Sequence, residues 1–449
     1  MLTSLVQLKN KFLSNKFISS VAVLVGGTAS AQIIGIITLP FLTRIYGPED
    51  FNLFAIFLSM LAVLSVSSCL RFEIAIPIPD SEDDAINLVV LSLLSSTCIS
   101  LLLFCIIILV PDIYFVDILD VDFLPYLKWL PLGVWFLCLF GVFQYWTIRY
   151  KRFGLLAKNR ISQVSIYVGS QIVFGLNGFL SFGLIAGNII SNIFAATNLA
   201  MNNGKVLVDR VSAISYSSLK RTFFRYKNYP KYSTFEAFAN SAAIEVPVLI
   251  IAALSVGPVA GYLLLATRIL GAPISLLGNA VGQVYLSHAP EKLRHNLLAD
   301  FTLTTLRSLV KVGFVPIFTF SVLAPYIIPL VFGSDWEATG KYIVLLFPWF
   351  FIQFLVSPIS MALNITDNQK LALMLQVVGL VIRVGAILVA AEYANKFIIE
   401  TYAISGYIFY LSYLLFVLRV LGVRVTQLIG LLSIGLTLGV ISLCYFSII

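Results

Sequence analysis

The run FNLFAIFLSMLAVLSVSSC, residues 51–69, holds no charged side chain, and runs of this kind recur along the chain. A helix rises about 1.5 Å per residue, so roughly 20 apolar residues cross the ~30 Å hydrocarbon layer of a bilayer. Apolar spans lie near 18–43, 52–76, 86–110, 124–147, 160–179, 181–203, 233–255, 259–287, 304–331, 341–364, 370–391, 398–420 and 426–447. In hydrocarbon every backbone polar group needs an internal partner, which leaves helices or closed barrels. Barrel strands would alternate apolar and polar residues in short segments, and no such pattern occurs. The expected class is therefore an all-α polytopic membrane protein of 12–13 transmembrane helices. Only 11% of residues are charged and the mean hydropathy is +0.98, against about 25% charged in soluble domains.

The net charge of +8 could suggest nucleic acid, but its distribution is topological. With the N-terminus inside, 23 of the 29 Lys and Arg fall on inner segments, among them Arg149, Lys151, Arg152, Lys220, Arg221 and Arg225. Outer segments hold Arg44, Lys128, Lys341 and Lys396 and are otherwise acidic, as in PDIYFVDILDVDF. Short loops with this bias orient a membrane protein basic side inward. A nucleic-acid surface would instead be a clustered stripe with stacking aromatics. The basic start MLTSLVQLKNKFLSNKF runs into a segment too long for a cleavable signal.

Gly47-Pro48 and Gly257-Pro258 lie 210 residues apart, each between an outgoing helix containing Pro and a returning apolar helix. Ser-Ala-Gln at 30–32 likewise falls near Ser-Ala-Ala at 241–243. This spacing predicts two parallel six-helix halves, a layout common in secondary transporters. The expected domains are 1–203, a cytoplasmic linker at 204–232, a second lobe at 233–420, and an extra C-terminal helix within 421–449.

The remaining two basic residues, Arg268 and Arg383, are mid-span. An Arg at a helix centre costs about 2.5–3.5 kcal/mol on insertion scales, and such charges usually face a bundle interior or a water-filled cavity. Arg71 and Glu73 in LRFEIAIP, and Glu245, belong to the same group. As helical neighbours are three or four apart, Glu73 is expected on a different face from Arg71. Glu245 precedes Gly257 by 12 residues and Arg268 follows it by 11, so the two reach similar depth and can pair. Either they form an ion pair that locks two helices, or Arg268 meets an anionic substrate. Arg383 packs against a polar neighbour, snorkels or contacts substrate; Arg71 snorkels or binds. Arg44 anchors a loop through Glu49 or Asp50.

Gly27, Ala31 and Gly35 form a small-residue stripe for close helix approach. Residues 290–310, with Leu293, Leu297 and Phe301 at helical spacing, read as an interfacial helix. The five cysteines, Cys69, Cys98, Cys105, Cys138 and Cys444, lie in apolar runs without metal spacing and read as buried small hydrophobes. No Walker A, HExxH or GxSxG motif is present, so no enzyme activity, cofactor or metal is expected, and ATP does not drive the chain.

Five separated stretches carry a resemblance: GTASAQIIGIITLPFLTRIYGPEDFNLFAIF, LRFEIAIPIP, YKNYPKYSTFEAFANSA, ATRILGAPISLLGNAVGQVYLS and FGSDWEATGKYIVLLFPWFFIQFLVSPIS. In order and spacing they resemble the Wzx-type O-antigen and exopolysaccharide flippases, the polysaccharide-transporter branch of the multidrug/oligosaccharidyl-lipid/polysaccharide flippase superfamily. The resemblance implies a MATE-like fold of two pseudo-symmetric lobes around a central cavity, in the bacterial inner membrane. It implies an undecaprenyl-diphosphate-linked oligosaccharide as cargo for O-antigen, capsule or exopolysaccharide. Partners would be a coupling ion, proton or sodium, and a polysaccharide polymerase and chain-length regulator. Arg71, Arg268 and Arg383 suit the diphosphate, and Glu245 suits ion coupling. Twelve helices are usual in this branch, so the last span is a departure.

Two other readings compete. A MATE-type drug or organic-cation antiporter wants acids in its cavity, where this chain has mostly Arg. A membrane polymerase or glycosyltransferase needs a substantial catalytic loop; Asp112, Asp117, Asp120 and Asp122 imitate one but read as a solvated acidic loop.

Overall fold

The computed structural model describes residues 16–111, 113–116, 121–208, 214–254, 257–360, 362–366, 368–393 and 397–423. Fourteen helices of ten residues or more and no strands occur among them. Eleven of the described helical segments are long and apolar enough to cross a membrane. Side chains such as Phe41, Leu102, Val315 and Leu330 lie more than half exposed, an arrangement suited to lipid rather than water. The chain divides into two compact units, Met1–Ile45 with Met60–Phe238, and Tyr46–Ser59 with Ala239–Ile449.

The first unit holds α1 (Lys16–Ile45), the second half of α2 (Pro48–Ser68), α3 (Glu82–Leu109), α4 (Leu130–Arg149), α5 (Phe153–Leu176), α6 (Leu180–Val208) and the short α7 (Tyr216–Arg225). The expected division of 160–203 falls at Asn177–Phe179, where Gly178 adopts φ +80°. Helix α5 packs between α1 and α6, α4 packs on α6 and α3, and α7 lies against α3. At Gly27 a Cβ would overlap Ala157 of α5, so the small residue permits that approach; Gly35 has open space instead. Helix α3 starts at Ser81, whose side chain accepts from the Asp84 amide at 3.4 Å. Glu82, Asp83 and Asp84 fill its first turn, where negative charge suits the helix dipole.

The second unit holds the start of α2, α8 (Thr234–Leu254) from Ala239 on, α9 (Val259–Pro273), α10 (Asn279–Arg294), α11 (Leu298–Phe332), α12 (Glu337–Ile359), α13 (Gln369–Tyr393) and α14 (Ile398–Val420). Helix α12 is apolar all round and buried along most of its length, because α9, α10, α11 and α14 all pack on it. The two Gly-Pro turns of the repeat meet inside this unit. Asn52 Oδ1 accepts from the Ala260 and Gly261 amides at 3.0 and 3.3 Å. Gly261 lies under the Pro48 carbonyl and the Asn52 amide, where a Cβ would clash with backbone.

Three expectations change, and others fall outside the described residues. The second span stops at Ser68 and does not include Arg71 and Glu73. Residues 290–310 are two helices: α10 runs to Arg294, Asn296 turns the chain at φ +57°, and α11 is one 35-residue helix from Leu298. Cys69 and Cys138 are buried, but Cys98 and Cys105 are exposed on apolar α3. The span 426–447, Cys444, Asp112, Asp117 and Asp120 lie outside the described residues.

Candidate functional site

In the first unit the charges sit on a turn. Leu70 and Arg71 take φ +50° and +59°, left-handed values that a non-glycine residue holds only where its surroundings impose them. They end α2, after which Phe72 inserts fully buried and meets Phe223 of α7 at 5.7 Å between ring centres. A single helical turn, Glu73–Ala75, follows. The expected separation of Arg71 and Glu73 fails because this stretch is not a continuous helix. Instead Arg71 Nη1 donates to Glu73 Oε1 at 3.4 Å. Glu73 is buried, and burial pushes its carboxyl above the ordinary carboxylate range while the Arg71 guanidinium opposes the shift. The Arg71 side chain stays 26% exposed, with Nε unpartnered.

Arg149, at the C-terminal end of α4, holds this loop in place. Its guanidinium donates to the Ile76 carbonyl at 3.2 Å, to the Pro79 carbonyl, to the Ser81 carbonyl at 3.5 Å and to Glu82 Oε1 at 3.4 Å. The Tyr150 hydroxyl donates to Glu82 Oε2. Helix α7 is tied to the same end of α3. Arg225 and Arg221 pair with buried Asp84, and the Ser218 hydroxyl donates to Asn87 Oδ1 at 3.1 Å. In the sequence Arg149, Arg221 and Arg225 read as topological charges and nothing marks Asp84 as the partner of the last two. The available signal is the acidic run Glu82-Asp83-Asp84 at the start of α3, on the same side as the basic α7; burial alone singles out Asp84.

In the second unit Glu245 on α8 accepts from the Ser59 hydroxyl at 2.8 Å. Arg268 on α9 is half-buried, its guanidinium 5.9 Å from the Phe54 ring centre. Ser59 and Phe54 both belong to the first half of α2. Arg383 on α13 is only 3% exposed. It lies 4.5, 5.1 and 5.2 Å from the ring centres of Phe409, Trp349 and Tyr410, a cation–π cage. Its Nη1 donates to the Ala243 carbonyl at 3.3 Å, and Nε and Nη2 are buried without partners. Gly379 and Gly406 admit the Phe409 and Trp349 rings that build the cage; a Cβ at either would overlap them. No aromatic periodicity in the sequence announces this cage, since its rings come from α12 and α14.

Arg71 with Glu73 therefore forms one charged locus, in the first unit. Glu245, Arg268 and Arg383 are distributed over α8, α9 and α13 of the second. A partly exposed guanidinium offers two to five donors to an anion, and a phosphate is a ligand whose geometry suits that fork.

Comparison with known proteins adds the lineage. The sequence model of the polysaccharide biosynthesis protein family matches residues 41–340. Among curated proteins none matches. Among solved structures, the chain is similar to the lipid II flippase MurJ in an inward closed conformation, with TM-score 0.66 and 15% identity over 94% of this chain and 97% of that one. It is also similar to an inward-facing multidrug resistance MATE family transporter of the MOP superfamily, with TM-score 0.58 and 14% identity over 89% of this chain and 94% of that one. A Vibrio cholerae MATE transporter gives TM-score 0.53 and 11% identity over 91% of this chain and 97% of that one. The family match covers well over half of the chain and includes Arg71, Glu245 and Arg268. This multi-pass, all-α, MATE-like membrane protein belongs to the polysaccharide biosynthesis protein family.

Proposed function

We propose that the chain is a flippase that carries an undecaprenyl-diphosphate-linked oligosaccharide repeat unit from the cytoplasmic to the periplasmic leaflet of the bacterial inner membrane. It does so by alternating access of two lobes, 1–203 and 233–420, with the N-terminus cytoplasmic and without enzymatic chemistry. The observation that carries this reading is the sign and state of the deep charges. Glu73 and Glu245 each have an internal partner, Arg71 and Ser59. Arg71, though paired with Glu73, keeps a side chain 26% exposed, and Arg268 is half-buried on α9, so both cations can be reached by an anion. In this reading Arg71 receives the diphosphate at the cytoplasmic end of the helices and Arg268 holds it during passage. Arg383 offers Nε and Nη2 when the cage around it rearranges. Glu245, held by one hydroxyl, carries the coupling proton or sodium. Family membership supports the polysaccharide cargo, and a MATE-like fold suits a translocation cycle.

The test uses the native host with the gene deleted, a strain with no redundant flippase, and mass spectrometry of its extracted lipids. Undecaprenyl-diphosphate-linked repeat units accumulate in the deletion and are cleared by the intact gene. Arg268→Ala, at normal membrane abundance, clears them about 10-fold or more slowly, the size of a lost charged hydrogen bond. Arg268→Lys recovers part of the loss. Unchanged lipid intermediates and surface polysaccharide would overturn the reading. A gain in sensitivity to cationic drugs on deletion, with polysaccharide intact, would establish the cation antiporter instead.

A further inference from the structure

A cleft of about 630 Å³ opens in the first unit between α3 and the entry to α4, lined by Thr97, Ser100, Leu101, Lys128, Leu132 and Trp135 among others. None of these residues takes part in the charged locus described above. The helices supply a ruler for its depth. Arg149 and Glu82 pair at 3.4 Å and mark one level at the basic end of α4 and α3. Thr97 is 15 residues along α3 from that level and Trp135 is 14 residues back along α4, about 22 Å away at 1.5 Å per residue. Trp135 Nε1 donates to Thr97 Oγ1 at 3.0 Å, so the two helices hold that register. Helix α4 begins at Leu130, 19 residues or about 28 Å from the Arg149 level, and Lys128 sits in the turn just beyond it, about 31 Å out. That distance crosses a hydrocarbon layer of ~30 Å and puts its ammonium among headgroups. Ser100, 18 residues from Glu82, lies about 27 Å out, some 4 Å deeper than Lys128.

Ser100 is the informative residue. It is 6% exposed, it lines the cleft, and its hydroxyl has no hydrogen-bond partner. A buried hydroxyl without a partner costs stability, and most serines in helices satisfy theirs on the preceding turn, as Ser96 does on Leu93. Lys128 is exposed, and among the described residues it joins none of the ion pairs. The cleft thus has a cation at headgroup level, an unpartnered hydroxyl buried in its wall just below it, and an apolar wall deeper still.

We propose that this cleft binds one anionic diacyl glycerophospholipid of the leaflet away from Arg149. The phosphate sits on Lys128, an ester carbonyl accepts from the Ser100 hydroxyl, and one acyl chain lies along Leu132 and Trp135. The depth of Ser100 selects this occupant: a diacyl lipid carries ester carbonyls just beneath its phosphate, and a polyprenyl chain carries none. The ordered lipid satisfies the orphan hydroxyl and fills an open groove between two helices of the same unit. The site stands independently of the flippase reading.

The test is native mass spectrometry of the full-length protein with dioleoylphosphatidylglycerol, its ether-linked dialkyl analogue and dioleoylphosphatidylcholine, each variant checked for unchanged melting temperature. Wild-type protein retains phosphatidylglycerol about five-fold over phosphatidylcholine, the effect of one basic residue near an anionic lipid. Lys128→Gln brings that ratio close to one. Ser100→Ala lowers retention of the ester lipid about three-fold, the size of one neutral hydrogen bond, and leaves the ether lipid unmoved. Leu101→Trp, which fills the cleft, abolishes the preference. Equal retention of ester and ether lipids by wild type, or an unchanged preference in Leu101→Trp, overturns the assignment. So does displacement of phosphatidylglycerol by equimolar undecaprenyl phosphate, which would give the cleft to a polyprenyl chain.

Discussion

Arg71 and Glu73 show how far a single residue's environment departs from its sequence neighbourhood. Their spacing of two excludes pairing on a helix, yet they pair because Leu70 and Arg71 leave the helical region and turn the chain. Burial raises the Glu73 carboxyl above its ordinary range even with Arg71 beside it, so desolvation outweighs the ion pair. The sign follows from proton linkage. The folded state binds this proton more tightly than the unfolded state. Wild-type stability therefore falls as pH rises from the ordinary Glu value, about 4.3, to the raised one. The expected outcome for Glu73→Gln is a melting temperature no lower than wild type at pH 7.5, with the advantage shrinking toward pH 4. Thermal unfolding of purified protein from pH 4 to 8 checks it; a Gln variant that loses stability most at high pH would show that the ion pair dominates.

At the scale of elements, the loop after α2 is built from outside itself. Arg149 satisfies the Ile76, Pro79 and Ser81 carbonyls from the end of α4, and Phe223 of α7 packs on Phe72. The basic run at Arg149–Arg152 thus clamps a loop, besides carrying the charge from which a basic-side-inward orientation is proposed. Arg149→Ala leaves those carbonyls without their donor. The expected loss is about 1–3 kcal/mol, the cost of leaving buried carbonyls without their donor. Arg152→Ala, whose guanidinium donates to Asn203 Oδ1 at 3.2 Å and to the exposed Asn202 carbonyl, should lose less. Denaturant or thermal melts of the two variants, with limited proteolysis between residues 70 and 81, measure this directly. Amides also link α5 and α6: Asn198 donates to Asn159 and Gln163 to Asn192, at 2.6 and 3.0 Å. Such interhelical bonds are well suited to hydrocarbon, and they tie together the two helices of the 160–203 region.

For the whole molecule, the charge asymmetry makes a clear statement about orientation. A membrane-impermeant maleimide should label Asp122→Cys in intact spheroplasts and Lys220→Cys only after lysis, since both sites are exposed and lie at opposite ends of α3. The reverse pattern would invert the orientation and with it the direction of transport proposed for Arg71. Cys98 and Cys105 are exposed on the apolar face of α3, so the experiment starts from a variant with both replaced by Ser.

The apolar runs by themselves determined the helical class and most of the spans, because a bilayer leaves a long uncharged segment little alternative. They also determined where Gly47-Pro48 and Gly257-Pro258 would break and restart the helices, because Pro and Gly act locally on the backbone. Only the tertiary structure decided what each buried charge touches. The Arg383 cage takes rings from α12 and α14, the hydroxyl that donates to Glu245 comes from Ser59 of α2, and the Arg149 clamp reaches a loop some 70 positions away. Hydropathy is a sum over one segment, whereas a guanidinium in low dielectric is settled by side chains that the fold brings from elsewhere.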